Sequence, residues 1–339
     1  MDPATLSDAT LSDAAARLAA LLTGAGGTLA DVGATAADRP GGSQLDFEGD
    51  LRTRPLVRLA PPADAWAIDG GQALAADARC LQLLVTRASR VRFRGGACVL
   101  EEEGELRAHL LGAGQNRIAA ASLGLGPGLA ADTSVDANLL RDRWEWEAAA
   151  RAVAEAEAGA LVLIDGDLQP DWRIPSACLR DLLAEAADKQ VTLAGITKHS
   201  SLSRGGAPLI GHLERTAAAH LGARAMWWCP IARSRPDVGP GLQVVAARLD
   251  PDARFAFRID LPLDADAEAT LGQISALSDD AAFPGYPYPL AVADRLAACP
   301  GWLRAEVRLA LEEALAGNGV DEDMLERAFA DRHRLMERA

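Results

Sequence analysis

The strongest constraint on this chain is a pair of short apolar runs, each closed by an aspartate and a glycine, with a long helical pattern between them. Residues 65–69 read AWAID and are followed by Gly70–Gly71. Residues 161–164 read LVLI and are followed by Asp165–Gly166. Short continuous apolar runs bounded by turn residues have the pattern of buried strands. Between them, residues 139–157 are rich in Ala, Glu and Arg and carry Leu140, Trp144 and Val153 at helical spacing. After the second run, residues 176–189 predict another helix with Ser176 as N-cap, and residues 191–196 (VTLAGI) a further strand. Residues 81–86, 90–93 and 97–100 read as strands, with 106–111 a further candidate, and two or three of these are expected to pair antiparallel. Strands alternating with helices predict an α/β fold built on a mixed sheet with a parallel part.

The flanks are less regular. Residues 4–23 predict an amphipathic helix on Leu6, Leu11, Leu18, Leu21 and Leu22, and residues 24–62, rich in Gly, Pro, Asp and Thr, predict a linker or loose arm. After Thr197 the pattern blurs into a second group of strands over 226–232, 242–249 and 255–261. GYPYP at 285–289 predicts a rigid turn, 290–298 a short helix, and 302–317 and 322–337 two more helices. The expected division is an N-terminal helix and arm (1–62), a main domain (63–300) and C-terminal helices (301–339). Within the main domain a core spans 63–200, an insertion about 201–280 and a closing helix 287–298.

Composition narrows the function. The 339 residues hold no run of about 18 apolar residues, so no membrane span is expected. The start, MDPATLSDATLSD, has neither a basic nor an apolar leader region, and a cytoplasmic location is expected. A net charge of −14 argues against a basic nucleic-acid coat protein, though not against a nuclease whose metal-holding acids add to that charge. Of 34 basic residues only Lys189 and Lys198 are lysines, a skew that fits phosphate recognition or simply genome composition. The five cysteines are scattered and form no CxxC pair, which makes a zinc site or a disulfide framework improbable. HExxH, GxxxxGK[ST], GxSxG and a helix-opening GxGxxG are all missing.

The acids are the informative residues. An aspartate closing a buried strand must be solvated, hydrogen-bonded or metal-bound, because an isolated buried carboxylate costs several kcal/mol. Ligands of open α/β sheets collect at the carboxyl ends of strands, which makes Asp69 and Asp165 a candidate metal or phosphate site. The plainer reading is that each merely starts an Asp-Gly turn. The 139–157 helix adds Glu145, beside Trp144, and Glu147; either alone reads as a solvated helix face. Asp294 lies one turn past Leu290 and alone reads as a surface acid. Three or four such carboxylates converging would hold two divalent cations, and hard cations such as Mn2+ or Mg2+ suit oxygen ligands. That is the apparatus of phosphodiester hydrolysis by in-line displacement.

On these residues the chain resembles the NurA family of DNA-end-processing nucleases, whose core is RNase H-like. The resemblance is carried, in order, by AIDGG with Asp69, RDRWE with Glu145, LVLIDGDL with Asp165, TKHS with Lys198, and GYPYPLAVAD with Tyr286 and Asp294, over roughly residues 60–300. It implies an RNase H-like mixed sheet flanked by helices, with an inserted β-rich segment and C-terminal helices. It also implies a Mn2+-dependent exo- and endonuclease of single- and double-stranded DNA, with Mg2+ as the alternative metal. The implied protein is a homodimer that works with the hexameric ATPase HerA in resecting DNA breaks. Asp69, Glu145 and Asp165 match the family's metal-ligand positions, with Asp294 as a fourth. Lys198 falls where a basic residue contacts the scissile phosphate, and Tyr286 matches the family's tyrosine near the site. Two positions depart from the pattern. Many relatives have His where this chain has Asp294, and an aspartate binds a hard cation but is no imidazole base. Relatives often have Ser where this chain has Gly71, so a hydroxyl is missing.

Other residues carry weaker expectations. Asp167 is a further candidate ligand, Asp260 reads as structural, and His199 beside Lys198 is a candidate for proton transfer. Arg204 and Arg215 either line a DNA groove or are solvated. Trp227–Trp228 reads as a core or dimer-interface pair rather than a base-stacking platform. Two competing functions stay open. One is an actin-like or sugar-kinase phosphotransferase, for which a second glycine-rich phosphate loop is lacking in the C-terminal half. The other is a non-catalytic adaptor of a partner ATPase, with structural acids.

Overall fold

The structure, a computed structural model, describes residues 8–23, 32–34, 45–112, 114–116, 119, 135–169, 173–204, 206–234, 241–320 and 322–330. In chain order the first elements are α1 (Asp8–Thr23), β1 (Val32–Ala34), β2 (Leu45–Phe47), β3 (Arg54–Pro55), β4 (Asp64–Asp77), β5 (Leu81–Arg94), β6 (Ala97–Glu102) and β7 (Arg107–Gly112). Then come α2 (Ala137–Glu155), β8 (Leu161–Asp165), α3 (Ser176–Asp188), β9 (Thr192–Thr197), β10 (Leu202–Arg204), β11 (Ala207–Pro208) and α4 (Leu209–Leu221). The last are β12 (Trp227–Ser234), β13 (Leu242–Arg248), β14 (Phe257–Pro262), α5 (Ala267–Ala276), α6 (Tyr288–Ala297), α7 (Gly301–Ala316) and α8 (Glu322–Phe329). The chain divides into two compact units: Met1–Pro62 with Gly166–Trp172 and Thr192–Tyr288, and Ala63–Asp165 with Arg173–Val191 and Pro289–Ala339. Among the described residues no helix is long and apolar enough to cross a membrane.

The second unit is the mixed α/β layer that the alternating pattern predicts. β8 runs parallel to β4, from Ala65 opposite Leu161 to Ile68 opposite Ile164. β5 pairs antiparallel with β4, and β6 and β7 both pair antiparallel with β5. The LVLI of β8 is buried throughout, as expected of a parallel strand covered on both faces. α2 buries Leu139, Leu140, Trp146, Ala148, Ala149, Ala152 and Val153. Asp136 caps it by accepting from the Leu139 N–H, a cap typically contributing about 1 kcal/mol.

The first unit contains the second strand group. β12, β13, β14 and β9 pair antiparallel in that order. Leu209, Leu213 and Ala217 of α4 share a core with Trp227, Cys229, Ile231 and Val244. The sequence reading does not anticipate α4 and α5 within the 201–280 segment. Residues 24–62, read as a linker or loose arm, contribute β2 and β3, which pair with β12, and β1, which pairs with β10. The expected helix at 322–337 is described over Glu322–Phe329, and residues 331–337 lie outside the described residues.

Two strand readings need correction. Asp69 does not end its strand: it is the sixth of the 14 residues of β4, which runs on to Asp77. Residues 81–86 and 90–93 are not separate strands but one, β5. The glycines after Asp69 serve close packing rather than a turn. A Cβ on Gly70 would strike Glu145 and Arg141 of α2, and one on Gly71 would strike the Ala297 carbonyl oxygen of α6. Glycine within a strand commonly marks such an approach. Gly71→Ala is therefore expected to destabilise by about 1–3 kcal/mol in urea melts, the usual cost of overpacking. Gly49→Ala, where a Cβ meets nothing within 4 Å, should leave the melt unchanged.

The start of β4 carries an ion pair between the buried Asp64 and the half-buried Arg92. Arg92 Nε and Nη2 donate to the two Asp64 oxygens at 2.7 and 2.8 Å, and the Glu157 N–H donates to the same carboxylate at 3.2 Å. Burial alone would push the Asp64 carboxyl up. The Arg92 hydrogen bond, the Glu157 N–H and the Arg92 charge outweigh it and hold the carboxyl below its ordinary 3.8. Because the folded value is depressed, the stabilisation is full above the unfolded value and is lost as pH falls through the folded one. Asp64→Ala should cost about 3 kcal/mol near neutral pH, the low end for a broken buried pair since Arg92 is half-buried, and the gap from wild type should shrink in melts at about pH 3.

Candidate active site

Two of the acids are set by strand register. Ile68 and Ile164 are partners across the parallel β4–β8 pair, so the next residues, Asp69 and Asp165, stand side by side on neighbouring strands. Neighbouring strands lie about 4.8 Å apart, which brings the two carboxylates within reach of one cation. α6 supplies the third acid. One oxygen from each of Asp69, Asp165 and Asp294 lies within 4.8 Å of the others. Asp69 is buried, Asp165 half-buried and Asp294 exposed, so the group is buried at its base and open at its rim. Asp69 Oδ1 accepts the Gly70 N–H at 2.7 Å, which fixes the carboxylate against its own strand.

Glu145 approaches from elsewhere. Side chains alternate along a strand, so Asp69 and Gly71 face one side and Gly70 the other. α6 lies against Gly71 and α2 against Gly70. Glu145 on α2 therefore reaches the strand through the gap left by Gly70. It is buried and pairs with Arg141 one turn earlier, Nε to Oε1 at 3.2 Å. Burial pushes the Glu145 carboxyl up to about 8; Arg141 opposes the rise, while Asp142 and Asp165 add to it. Glu145 thus senses the charge of Asp165 but stands outside the group of three, the acid cluster found among the described residues.

Lys198 and Tyr286 belong to the other unit and meet each other there. Lys198 Nζ lies 5.0 Å from the centroid of the Tyr286 ring, a cation–π distance. Tyr286 is buried against Phe257, with ring centroids 5.6 Å apart. Gly285 precedes it at φ +87°, a conformation that suits glycine in the GYPYP turn. His199 is exposed beside Lys198.

The weaker candidates are each engaged by neighbouring groups. Asp260 is fully buried and accepts both arms of Arg258 at 2.8 Å, while Asp167 faces Arg258 at 3.4 Å. Trp227 and Trp228 are buried, Trp227 within the core of its unit. Arg204 contacts His212 at 2.6 Å, and Arg215 donates to the Leu22 carbonyl. Glu147 pairs with Arg107 at 3.5 Å at the surface of α2.

Three carboxylates this close resist one another. Two unit charges about 5 Å apart at an effective dielectric near 20 repel by about 3 kcal/mol. A divalent cation relieves that repulsion, and an all-oxygen donor set fits hard ions such as Mn2+ or Mg2+. Arg141 and Asp142, which shape the surroundings of Glu145, were not singled out from sequence. The available signal was the RDRWE spacing, which puts Arg141 four residues before Glu145 on one helix face.

No family model matches the sequence, and no curated protein matches it significantly. Solved structures do share the fold. The NurA nuclease of Sulfolobus solfataricus aligns over 79% of this chain and 88% of its own, with 15% identity and a TM-score of 0.55. A second NurA structure aligns over 81% of this chain and 92% of its own, with 10% identity and a TM-score of 0.48. The catalytic domain of human endonuclease V aligns over 90% and 99%, with 16% identity and a TM-score of 0.38. At such identities likeness speaks for architecture, and the first comparison carries it: this chain has a NurA-like α/β fold.

Proposed function

We propose that this chain is a metal-dependent deoxyribonuclease, a phosphodiester hydrolase. The observation that carries the reading is the meeting of Asp69, Asp165 and Asp294 within 4.8 Å, with a buried base and an exposed rim, on a NurA-like scaffold. Asp69, Asp165 and Asp294 would hold the cation, with Glu145 completing the set through the opening at Gly70. Mn2+ is the proposed metal, with Mg2+ as the alternative, and two ions are proposed. Such ions, when bound, lower the pKa of water and stabilise charge on a transferring phosphoryl group. Asp69, buried and pinned by the Gly70 N–H, fixes the position of the site, and exposed Asp294 forms the side open to substrate. Lys198, its ammonium steadied by the Tyr286 ring, is proposed to contact the scissile phosphate. Asp294, a carboxylate where an imidazole is the family's residue, is proposed to act as a ligand because its oxygen lies within 4.8 Å of those of Asp69 and Asp165.

The family resemblance supplies the rest of the proposal. The substrates are single- and double-stranded DNA, cut both from ends and internally. The partners are a second copy of the chain and a HerA-type hexameric ATPase, and the setting is resection of DNA breaks in the cytoplasm.

The test is digestion of end-labelled DNA by wild type, Asp69→Ala and Asp165→Ala, each with Mn2+ and with EDTA. Wild type should cut with Mn2+ and not with EDTA. Both variants should lose at least about 100-fold in rate, more than groups behind a metal ligand usually cost, while remaining folded, with melts no lower than wild type because one carboxylate of a repelling group is gone. An Asp69→Ala protein that digests DNA at the wild-type rate would sink the assignment. Absence of both Mn2+ binding and digestion, with or without a partner ATPase, would make the chain an adaptor.

A further inference from the structure

The position of Asp294 depends on how α6 sits on the sheet, and β5 carries two buried polar side chains aimed at that helix. Ser89 is fully buried and stands directly opposite Asp69 in the β4–β5 register. Its hydroxyl donates to the Ala293 carbonyl oxygen at 2.7 Å, with the Asp69 carbonyl oxygen a weaker second acceptor at 3.4 Å. Arg87 is also buried and stands opposite Gly71. Its Nε donates to the Ala297 carbonyl at 3.2 Å, and its Nη2 donates to the Ala298 carbonyl.

The spacing explains why two contacts suffice. Residues two apart on a strand share a face and are separated by about 6.7 Å. Ala293 and Ala297 are four apart on a helix, so they share a face about 6 Å apart. Ser89 and Arg87 therefore match one turn of α6 laid along β5. The last carbonyls of a helix lack partners within it and carry partial negative charge, so a buried guanidinium there is favourable. Gly71 removes the side chain that would otherwise hold the helix off.

We propose that Ser89 and Arg87 are positioning residues: they lock α6 in register against β5 and so place Asp294, the residue after Ala293, within the carboxylate group. The inference rests on the metal-site reading above for its consequence, but the latch can be tested without it. Full-length wild type, Ser89→Ala, Asp294→Ala and the double variant are compared by amide hydrogen exchange and by calorimetric titration with Mn2+. In Ser89→Ala, exchange over α6 should quicken while α2 keeps its wild-type protection. Mn2+ affinity should fall about tenfold, within the range seen for groups that orient a metal ligand. The same change made on Asp294→Ala should cost nothing further, because Ser89 acts through Asp294.

Wild-type exchange over α6 in Ser89→Ala would overturn the latch. Faster exchange with wild-type Mn2+ affinity, or an equal loss with and without Asp294, would overturn the positioning role. If wild type itself binds no Mn2+, the metal-site reading fails and the positioning role with it, while exchange still decides whether the latch exists. Should Ser89→Ala not fold, Arg87→Lys, which keeps the charge but loses the fork, enters the same cycle with the same outcomes.

Discussion

The gathering of Asp69, Asp165 and Asp294 within 4.8 Å is the arrangement on which the acid-bearing unit turns. Carboxylates free to move would separate, so their closeness must be imposed by backbone that cannot yield. Parallel register imposes it on Asp69 and Asp165, because sliding β8 along β4 would disrupt the burial of an entire apolar strand. Asp294 is imposed by helix placement, a looser device that needs its own anchoring. Local violations of this sort, buried or crowded acids on an otherwise consistent scaffold, are expected where a chain binds something.

Gly70 and Gly71 give the strand a thin waist at the point where it matters. Helices close on β4 from both faces there, α2 bringing Glu145 and Arg141, α6 bringing Ala297 and, one turn earlier, Ala293 and Asp294. Any side chain at 71 would place its Cβ on the Ala297 carbonyl, so α6 could not lie where it does. The glycine at 71 and the nearness of Asp294 are two sides of one packing arrangement.

The strand that carries Ser89 shows where sequence reading fails. Thr86, Arg87, Ser89 and Arg90 are all buried, so β5 has polar groups on both faces and no apolar alternation to follow. Read by pattern it breaks in the middle, and its two polar anchors pass unnoticed. β8 is the opposite case: four consecutive buried apolar residues announce themselves, and Asp165 closes the strand as predicted. Asp-Gly at 69–70 misleads for another reason. Glycine after aspartate usually signals a turn, whereas here close backbone packing required it.

By itself the sequence determined the α/β alternation and the helix between two aspartate-bearing runs, and it offered Asp69, Asp165, Glu145, Glu147 and Asp294 as acids to weigh, the choice among them resting on the family resemblance. The alternation follows from hydrophobic periodicity, which acts over a few residues at a time. Tertiary structure alone decided that Asp294 joins Asp69 and Asp165 while Glu145 enters from the opposite face of the strand. That choice depends on which helix lies on which side of β4, a matter of register and packing between segments far apart along the chain, 75 residues from Gly70 to Glu145 and 226 from Gly71 to Ala297, which no local pattern encodes.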